Sequence, residues 1–150
     1  MRIDRRLLCA AALFAAASCG AQTSKEYAVM GRSAWSAFEC SSLASQMKDP
    51  QEQERLFNAG YKDGLAFITA LQAQKIDRKD VSSEVPIGVR FLLQGPTPDF
   101  MLGRMYESAQ DEALKDVTKT GQQLNSDDLQ KTLAQSKYTK KNCRLVGGRQ

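Results

Sequence analysis

The sequence predicts an all-α fold, a compact bundle of four to five helices pinned by one disulfide. Three observations lead to this prediction. Apolar residues recur at steps of three and four along most of the chain, which is the spacing of amphipathic helices. Several of these runs begin with a polar cap residue followed by proline or an acidic residue. Finally, two of the four cysteines fall far apart within the predicted domain.

The amino terminus is predicted to be an export signal covering residues 1–18. A basic start with Arg2, Arg5 and Arg6 precedes an uncharged run rich in alanine and leucine at residues 7–17. This order is typical of secretory signals. As a helix the run would rise only about 16 Å, roughly half the hydrocarbon thickness of a bilayer. A permanent transmembrane anchor is therefore the weaker interpretation.

Two processing sites compete at the end of this segment. Cys19, with small residues on both sides, resembles a bacterial lipobox in which the cysteine thiol carries the lipid. The rival is ordinary signal-peptidase cleavage after Ala21. We favour lipidation of Cys19 and a periplasmic protein held at the membrane by a lipid anchor. By resemblance to known lipoproteins, Gly20 after the cysteine favours the outer membrane.

The rest of the chain is predicted to be a flexible leader, residues 19–25, and a single helical domain, residues 26–150. From Cys19 onward, lysine and arginine exceed aspartate and glutamate by only two. This near balance argues against a nucleic-acid partner, which requires a strong basic excess. Residues 137–149 carry five cations and no acid. We interpret them as a solvated tail, with contact to anionic lipid or an acidic partner as the alternative.

The chain contains no histidine. This excludes His-based acid–base catalysis, Ser–His and Cys–His nucleophiles and histidine metal ligands. Glu107 and Asp111, four residues apart, are the best remaining catalytic pair, but such a pair on a charged helix face is more simply solvated. We therefore predict no catalytic residue, no metal and no cofactor, and a function exerted by binding another protein.

Cys40 and Cys143 are predicted to form the disulfide. Cys9 leaves with the signal and Cys19 is lipidated or in the leader, so these two remain in the domain. In an exported domain, two cysteines are the right number for one bridge. It would close a loop of roughly a hundred residues, for which chain entropy predicts about 4.7 kcal/mol of stabilisation.

The first two helices are predicted from local signals. Apolar spacing places the first at residues 26–48. The second begins where Asp49 acts as cap, Pro50 is the first helical residue and Glu52 the third. It is expected to end near residue 74.

Gly60 and Gly64 lie one turn apart on the apolar face of this second helix, which also carries Phe57, Tyr61 and Phe67. Each glycine costs about 1 kcal/mol of helix propensity relative to alanine. A close approach by another backbone or a bulky side chain is the predicted compensation. A ligand lying against the bare backbone is the alternative.

Shorter elements follow. Residues 77–83 are polar and predicted to be a connection, with one helical turn as the alternative. Residues 84–94 are predicted to be a short buried helix, with a buried strand at residues 89–93 as the alternative. The remaining predicted elements are a rigid corner at residues 95–99, a helix from there to residue 117, a loop at residues 121–125 and a last helix at residues 127–137.

The rigid corner and the turn after it are the predicted partner-binding site. Two prolines stiffen residues 95–99, which lowers the entropy that a binding loop loses on association. Met101 and Arg104 are expected to be exposed on the side away from Leu102. We therefore name Asp99, Met101 and Arg104 as candidate binding residues. The alternative is that the prolines only end one helix and start the next.

One part of the sequence resembles a known family. Residues 57–64, preceded by Cys40 and followed by residues 85–89, resemble the Gly-Tyr-x-x-Gly helix and Pro-x-Gly-Val segment of small periplasmic immunity proteins that block secreted peptidoglycan amidases. The resemblance implies an envelope protein that occludes a toxin or a cell-wall hydrolase. The alternative function is an assembly or structural lipoprotein, similar to a pilotin, that serves an envelope complex.

Overall fold

A computed structural model describes residues 22–148, and the predicted export signal, Cys19 and Ala21 lie outside this part of the chain. Within it the fold is all-α, as predicted, with six α-helices. The elements are α1 (Ser24–Gln46), α2 (Pro50–Gln72), α3 (Arg78–Glu84), α4 (Ile87–Leu92), α5 (Pro98–Leu114), β1 (Lys119–Thr120), β2 (Gln123–Leu124), α6 (Asp127–Lys140) and a final 3₁₀ turn (Cys143–Leu145). None of the helices in this range is both long enough and apolar enough to cross a membrane.

Helix α1 begins earlier than predicted, inside the expected leader. Thr23 caps it, because its hydroxyl accepts a hydrogen bond from the Glu26 backbone N–H at 3.3 Å and its own N–H donates to the Glu26 carboxylate at 2.6 Å. This capping box satisfies backbone donors that a helix start leaves free. The leader prediction is therefore wrong for residues 24–25.

Helix α3 and the β1–β2 hairpin lie where a connection and a loop were predicted. The start of α3 is held by α1, since Ser24 donates to the Asp80 carboxylate and accepts from the Asp77 backbone N–H at 2.8 Å. A contact between residues so distant in sequence leaves no local signal. With α3 added, residues 22–148 contain six α-helices rather than the predicted four or five.

Small residues let α1, α2 and α5 pack closely. A Cβ on Gly60 would lie 2.7 Å from a Phe38 ring carbon and 3.2 Å from the Ala34 carbonyl oxygen. A Cβ on Gly64 would overlap a methyl group of Leu102. The predicted packing role of both glycines is confirmed.

The disulfide between Cys40 and Cys143 is confirmed, with the two Cα atoms 5.5 Å apart and both residues buried. It lies in a core cluster with Leu43, Leu56 and Val117, and it ties the 3₁₀ turn to α1. The rest of the core, built around Phe38 and Phe67, fills the space between α1, α2 and α5.

The helix at residues 84–94 is confirmed over Ile87–Leu92, and the strand alternative is wrong. Within α4, Val89 is buried and Leu92 packs partly against the core. Ile87 and Phe91 are 63% and 68% exposed. A helix of this length touches the core with one side only, so the prediction that it is buried is wrong for Ile87 and Phe91.

The last two α-helices also differ from prediction. Helix α5 ends at Leu114, and Asp116 adopts a positive φ of 62°, a conformation that does not continue a helix. Helix α6 extends to Lys140 instead of stopping at residue 137. Two cations of the predicted solvated tail, residues 137–149, make contacts with the fold: Lys137 donates to the Ala113 carbonyl at 3.2 Å, and Lys141 pairs with buried Glu39 at 3.0 Å.

Candidate functional site

An aromatic groove opens between α2 and α5. The side chains of Phe38 and Leu102 form its floor and are buried, whereas Phe57 and Tyr61 remain partly open to solvent. Its volume is about 220 Å³. The lining residues are Phe38, Phe57, Tyr61, Asp99, Leu102, Gly103 and Tyr106.

The rings of the groove support one another. Tyr106 meets Phe57 and Phe38 edge to face, with ring centroids 5.4 Å apart in both pairs. Phe57 and Tyr61 lie more nearly parallel, at 25° and 6.4 Å. Edge-to-face and offset arrangements are the favourable ones for aromatic pairs. The groove is thus formed before anything binds.

Phe57 and Tyr61 were predicted on the apolar face of α2, yet they are 38% and 39% exposed. The apolar arc of α2 is wider than the surface that α1 and α5 cover. Gly60 and Gly64 occupy the covered part, and the two aromatic residues lie at its edge. Exposed aromatic residues that form a concave surface are typical of binding sites.

Asp99 lies at the rim of the groove. Thr97 caps α5 by accepting from the Phe100 N–H at 3.2 Å, which places Asp99 in the first turn, where a carboxylate is stabilised by the helix dipole. Its carboxylate accepts a hydrogen bond from the Tyr61 hydroxyl at 2.7 Å. This bond raises the pKa of Tyr61 above its ordinary value.

The other two candidate binding residues do not line the groove. Met101 is only 7% exposed and belongs to the same core cluster as Val89, so its predicted exposure is wrong. Helix α4, which carries Val89, contacts α5, so this part of α5 belongs to the core. Arg104 donates to the Gln94 carbonyl at 2.7 Å, which holds the connection between α4 and α5.

Gly103 leaves a bare stretch of α5 in the groove. A Cβ at this position would meet no atom within 4 Å, in contrast to Gly60 and Gly64. Glycine within a helix costs about 1 kcal/mol relative to alanine, and no packing contact in residues 22–148 offsets that cost at Gly103. The sequence analysis missed it, although a glycine inside a helical pattern is itself a signal of close approach or function.

The polar cluster around Glu52 is structural. Arg55 donates to Glu52 at 2.7 and 2.8 Å and to the Val146 carbonyl at 2.9 Å, and Tyr138 donates to Glu52. Burial and this hydrogen bond raise the pKa of Tyr138 to about 12. The cluster fastens α6 and the end of the described chain to α2.

The groove does not include the acidic pair that the sequence offered as a catalytic alternative. Glu107 and Asp111 are both exposed on α5, and neither lines the groove. Across residues 22–148, no three acidic or cysteine side chains come together in a way that would hold a metal ion.

Comparisons with known proteins assign no family: no family model, no curated protein and no solved structure matches this chain. The function is therefore inferred from the groove and from the segment that resembles the immunity proteins.

Proposed function

We propose that this protein is an exported bacterial envelope protein that acts by binding another protein, as an immunity protein or inhibitor that occludes a toxin or a cell-wall hydrolase. The observation that carries this proposal is the preformed aromatic groove. Phe57 and Tyr61 offer exposed rings that are already held in place by Tyr106.

Such a groove has the properties of a binding hot spot. Tyrosine and other aromatic residues dominate the binding energy of protein interfaces, especially in pockets that exclude water. Because the rings are packed against one another on helices, a partner loses little free energy in ordering them. Association with a rigid surface of this kind suits an inhibitor.

The segment that resembles the immunity proteins forms part of this surface. Within residues 57–64, Gly60 and Gly64 pack against the core, whereas Phe57 and Tyr61 line the groove. The Gly-Tyr pair therefore combines close helix packing with an exposed ring at adjacent positions. This arrangement supports a binding role for the same segment.

Export is the second part of the proposal. The buried bridge between Cys40 and Cys143 suits an oxidising compartment such as the bacterial periplasm. Lipidation of Cys19 would hold the domain at the outer membrane. An inhibitor at that place would meet a hydrolase as it enters the periplasm.

The test is inhibition of peptidoglycan hydrolases and toxins encoded beside the gene. We expect one of them to lose activity on purified peptidoglycan when about one equivalent of this protein is added. Phe57→Ala should weaken that inhibition roughly 30-fold, which corresponds to a hot-spot loss of about 2 kcal/mol. Leu124→Ala, which alters an exposed apolar residue of β2 far from the groove lining, is the matched control. Absence of inhibition, or equal effects of the two variants, would contradict the proposal.

A second candidate function, an assembly lipoprotein similar to a pilotin, is favoured by a different surface. Helix α4 exposes Ile87 and Phe91 one turn apart, and neither residue lines the groove. Under this alternative, deletion of the gene causes an envelope defect in the absence of any competitor. Phe91→Ser would fail to correct that defect, whereas Phe57→Ala would correct it fully.

A further inference from the structure

The aromatic groove carries a charge at its rim. Of its seven lining residues, Asp99 is the one that carries a carboxylate side chain. Its carboxylate is exposed and accepts a hydrogen bond from Tyr61 at 2.7 Å; within the described residues it has no other hydrogen-bond donor. A carboxylate can accept several hydrogen bonds, so Asp99 retains acceptor capacity toward a ligand.

The adjacent rings are suited to a planar cation. Phe57 and Tyr61 lie at 25° to each other with their ring centroids 6.4 Å apart, and the Tyr61 hydroxyl reaches the Asp99 carboxylate. An arginine guanidinium stacks on aromatic faces and also donates paired hydrogen bonds to a carboxylate. A lysine ammonium is a compact point charge and gains less from the rings. An apolar side chain would desolvate Asp99 without returning a hydrogen bond to it.

The size of the groove limits what it can hold. At about 220 Å³ it lies below the range of about 300–1,000 Å³ that is typical of small-ligand sites. A single long side chain suits a groove of this size. At Gly103 the absence of a side chain opens a path along α5, along which the methylene groups of such a side chain can lie.

We propose that the groove binds an arginine side chain presented by a loop of the partner protein, with its guanidinium hydrogen-bonded to Asp99 and stacked on Phe57 and Tyr61. This inference rests on the proposed binding function and adds the chemistry of the contact. It also explains why Asp99 is held at the edge of an aromatic surface by the Tyr61 hydroxyl.

The direct test is an NMR titration of the aromatic signals of the intact protein. The probe is Nα-acetyl-arginine amide, and Nα-acetyl-citrulline amide is its neutral control of nearly the same shape. We expect saturable shifts of the Phe57, Tyr61 and Tyr106 rings with arginine in the millimolar range, and at least fivefold weaker binding of citrulline.

Two variants localise the site. Asp99→Asn keeps an acceptor for Tyr61 but removes the charge, and should weaken arginine binding at least tenfold. Asp111→Asn, on the same helix and equally exposed, should bind as the unaltered protein does. Gly103→Leu fills the groove without meeting another atom at its Cβ, so it should abolish arginine binding without lowering the melting temperature.

The outcomes separate this inference from the proposed function. Arginine and citrulline binding equally well, or no saturable shift at all, would overturn the arginine site. If Gly103→Leu still abolishes inhibition of a hydrolase, the groove remains the inhibitory surface and only its arginine specificity is lost. Specific arginine binding that depends on Asp99, with no hydrolase inhibited, would support the site and contradict the inhibitor function.

Discussion

Two helix glycines with opposite surroundings allow a test of the packing. Gly60→Ala and Gly103→Ala both replace a glycine inside a long helix, so both gain about 1 kcal/mol of helix propensity. At Gly60 the new Cβ would lie 2.7 Å from a ring carbon of Phe38 and 3.2 Å from the backbone oxygen of Ala34. At Gly103 it would meet nothing within 4 Å.

The cost of the Gly60→Ala substitution follows from how far Phe38 would have to move. Carbon atoms prefer separations of about 3.5–4.0 Å, so Phe38 would have to shift by most of an ångström. It is buried and packed edge to face against Tyr106, which opposes the shift. Overpacking of this kind costs about 1–3 kcal/mol. Since the helix-propensity gain is the same for both variants, the difference between their unfolding free energies should equal this cost.

Urea unfolding followed by far-ultraviolet circular dichroism measures the difference. We expect Gly103→Ala to be about 1 kcal/mol more stable than the unaltered protein, and Gly60→Ala to lie about 1–3 kcal/mol below Gly103→Ala. In a thermal melt this separation corresponds to roughly 3–15 °C. Equal stability of the two variants would refute the close approach of α1 to α2. Destabilisation by Gly103→Ala would show that this part of α5 is covered and that the groove is closed.

Three further predictions concern charge and the disulfide. Burial and the hydrogen bond to Glu52 raise the pKa of Tyr138 to about 12. The stabilisation that the protonated Tyr138 hydroxyl provides is therefore present below the unfolded pKa near 10 and is lost as the pH rises from about 10 to 12. Tyr138→Phe should lose less unfolding free energy over that range, and equal losses would contradict the assignment. Burial disfavours the charged form of Asp63 and so raises its pKa. Asp63→Asn should therefore raise the melting temperature at pH 7, and this gain should vanish as the pH falls through the pKa of the folded state. Replacing both Cys40 and Cys143 with serine opens a link across 103 residues and should cost about 2–5 kcal/mol in urea unfolding; an unchanged midpoint would show that the bridge does not constrain the unfolded chain.

The groove was only partly predictable from the sequence. Asp99 was named as a binding residue because of the proline-stiffened corner, and it does lie on the rim. Phe57 and Tyr61 were assigned to a buried face, and Gly103 was not singled out. Apolar spacing identifies the side of a helix that can be buried, but it does not show how much of that side a neighbouring helix covers.

Local sequence signals by themselves determined where several helices begin, and the number of cysteines in the domain determined which two pair. Asp49 caps α2 through the backbone N–H of Glu52 at 3.1 Å, a contact within one turn that the sequence displays directly. The pairing of Cys40 with Cys143 followed from the predicted export signal and from the count of remaining thiols. The two glycines of α2 also predicted close packing, because a compensating contact has to offset their cost in helix propensity.

Only the tertiary structure decided which apolar residues remain exposed and which are covered. Met101 is buried in the core cluster that also holds Phe38, Phe67 and Val89, and α3 forms where Ser24 holds its first turn. Tyr61 is exposed because α1 and α5 cover less than the full apolar arc of α2. Each of these outcomes depends on a contact between residues distant in sequence, so no pattern within a single helix contains it.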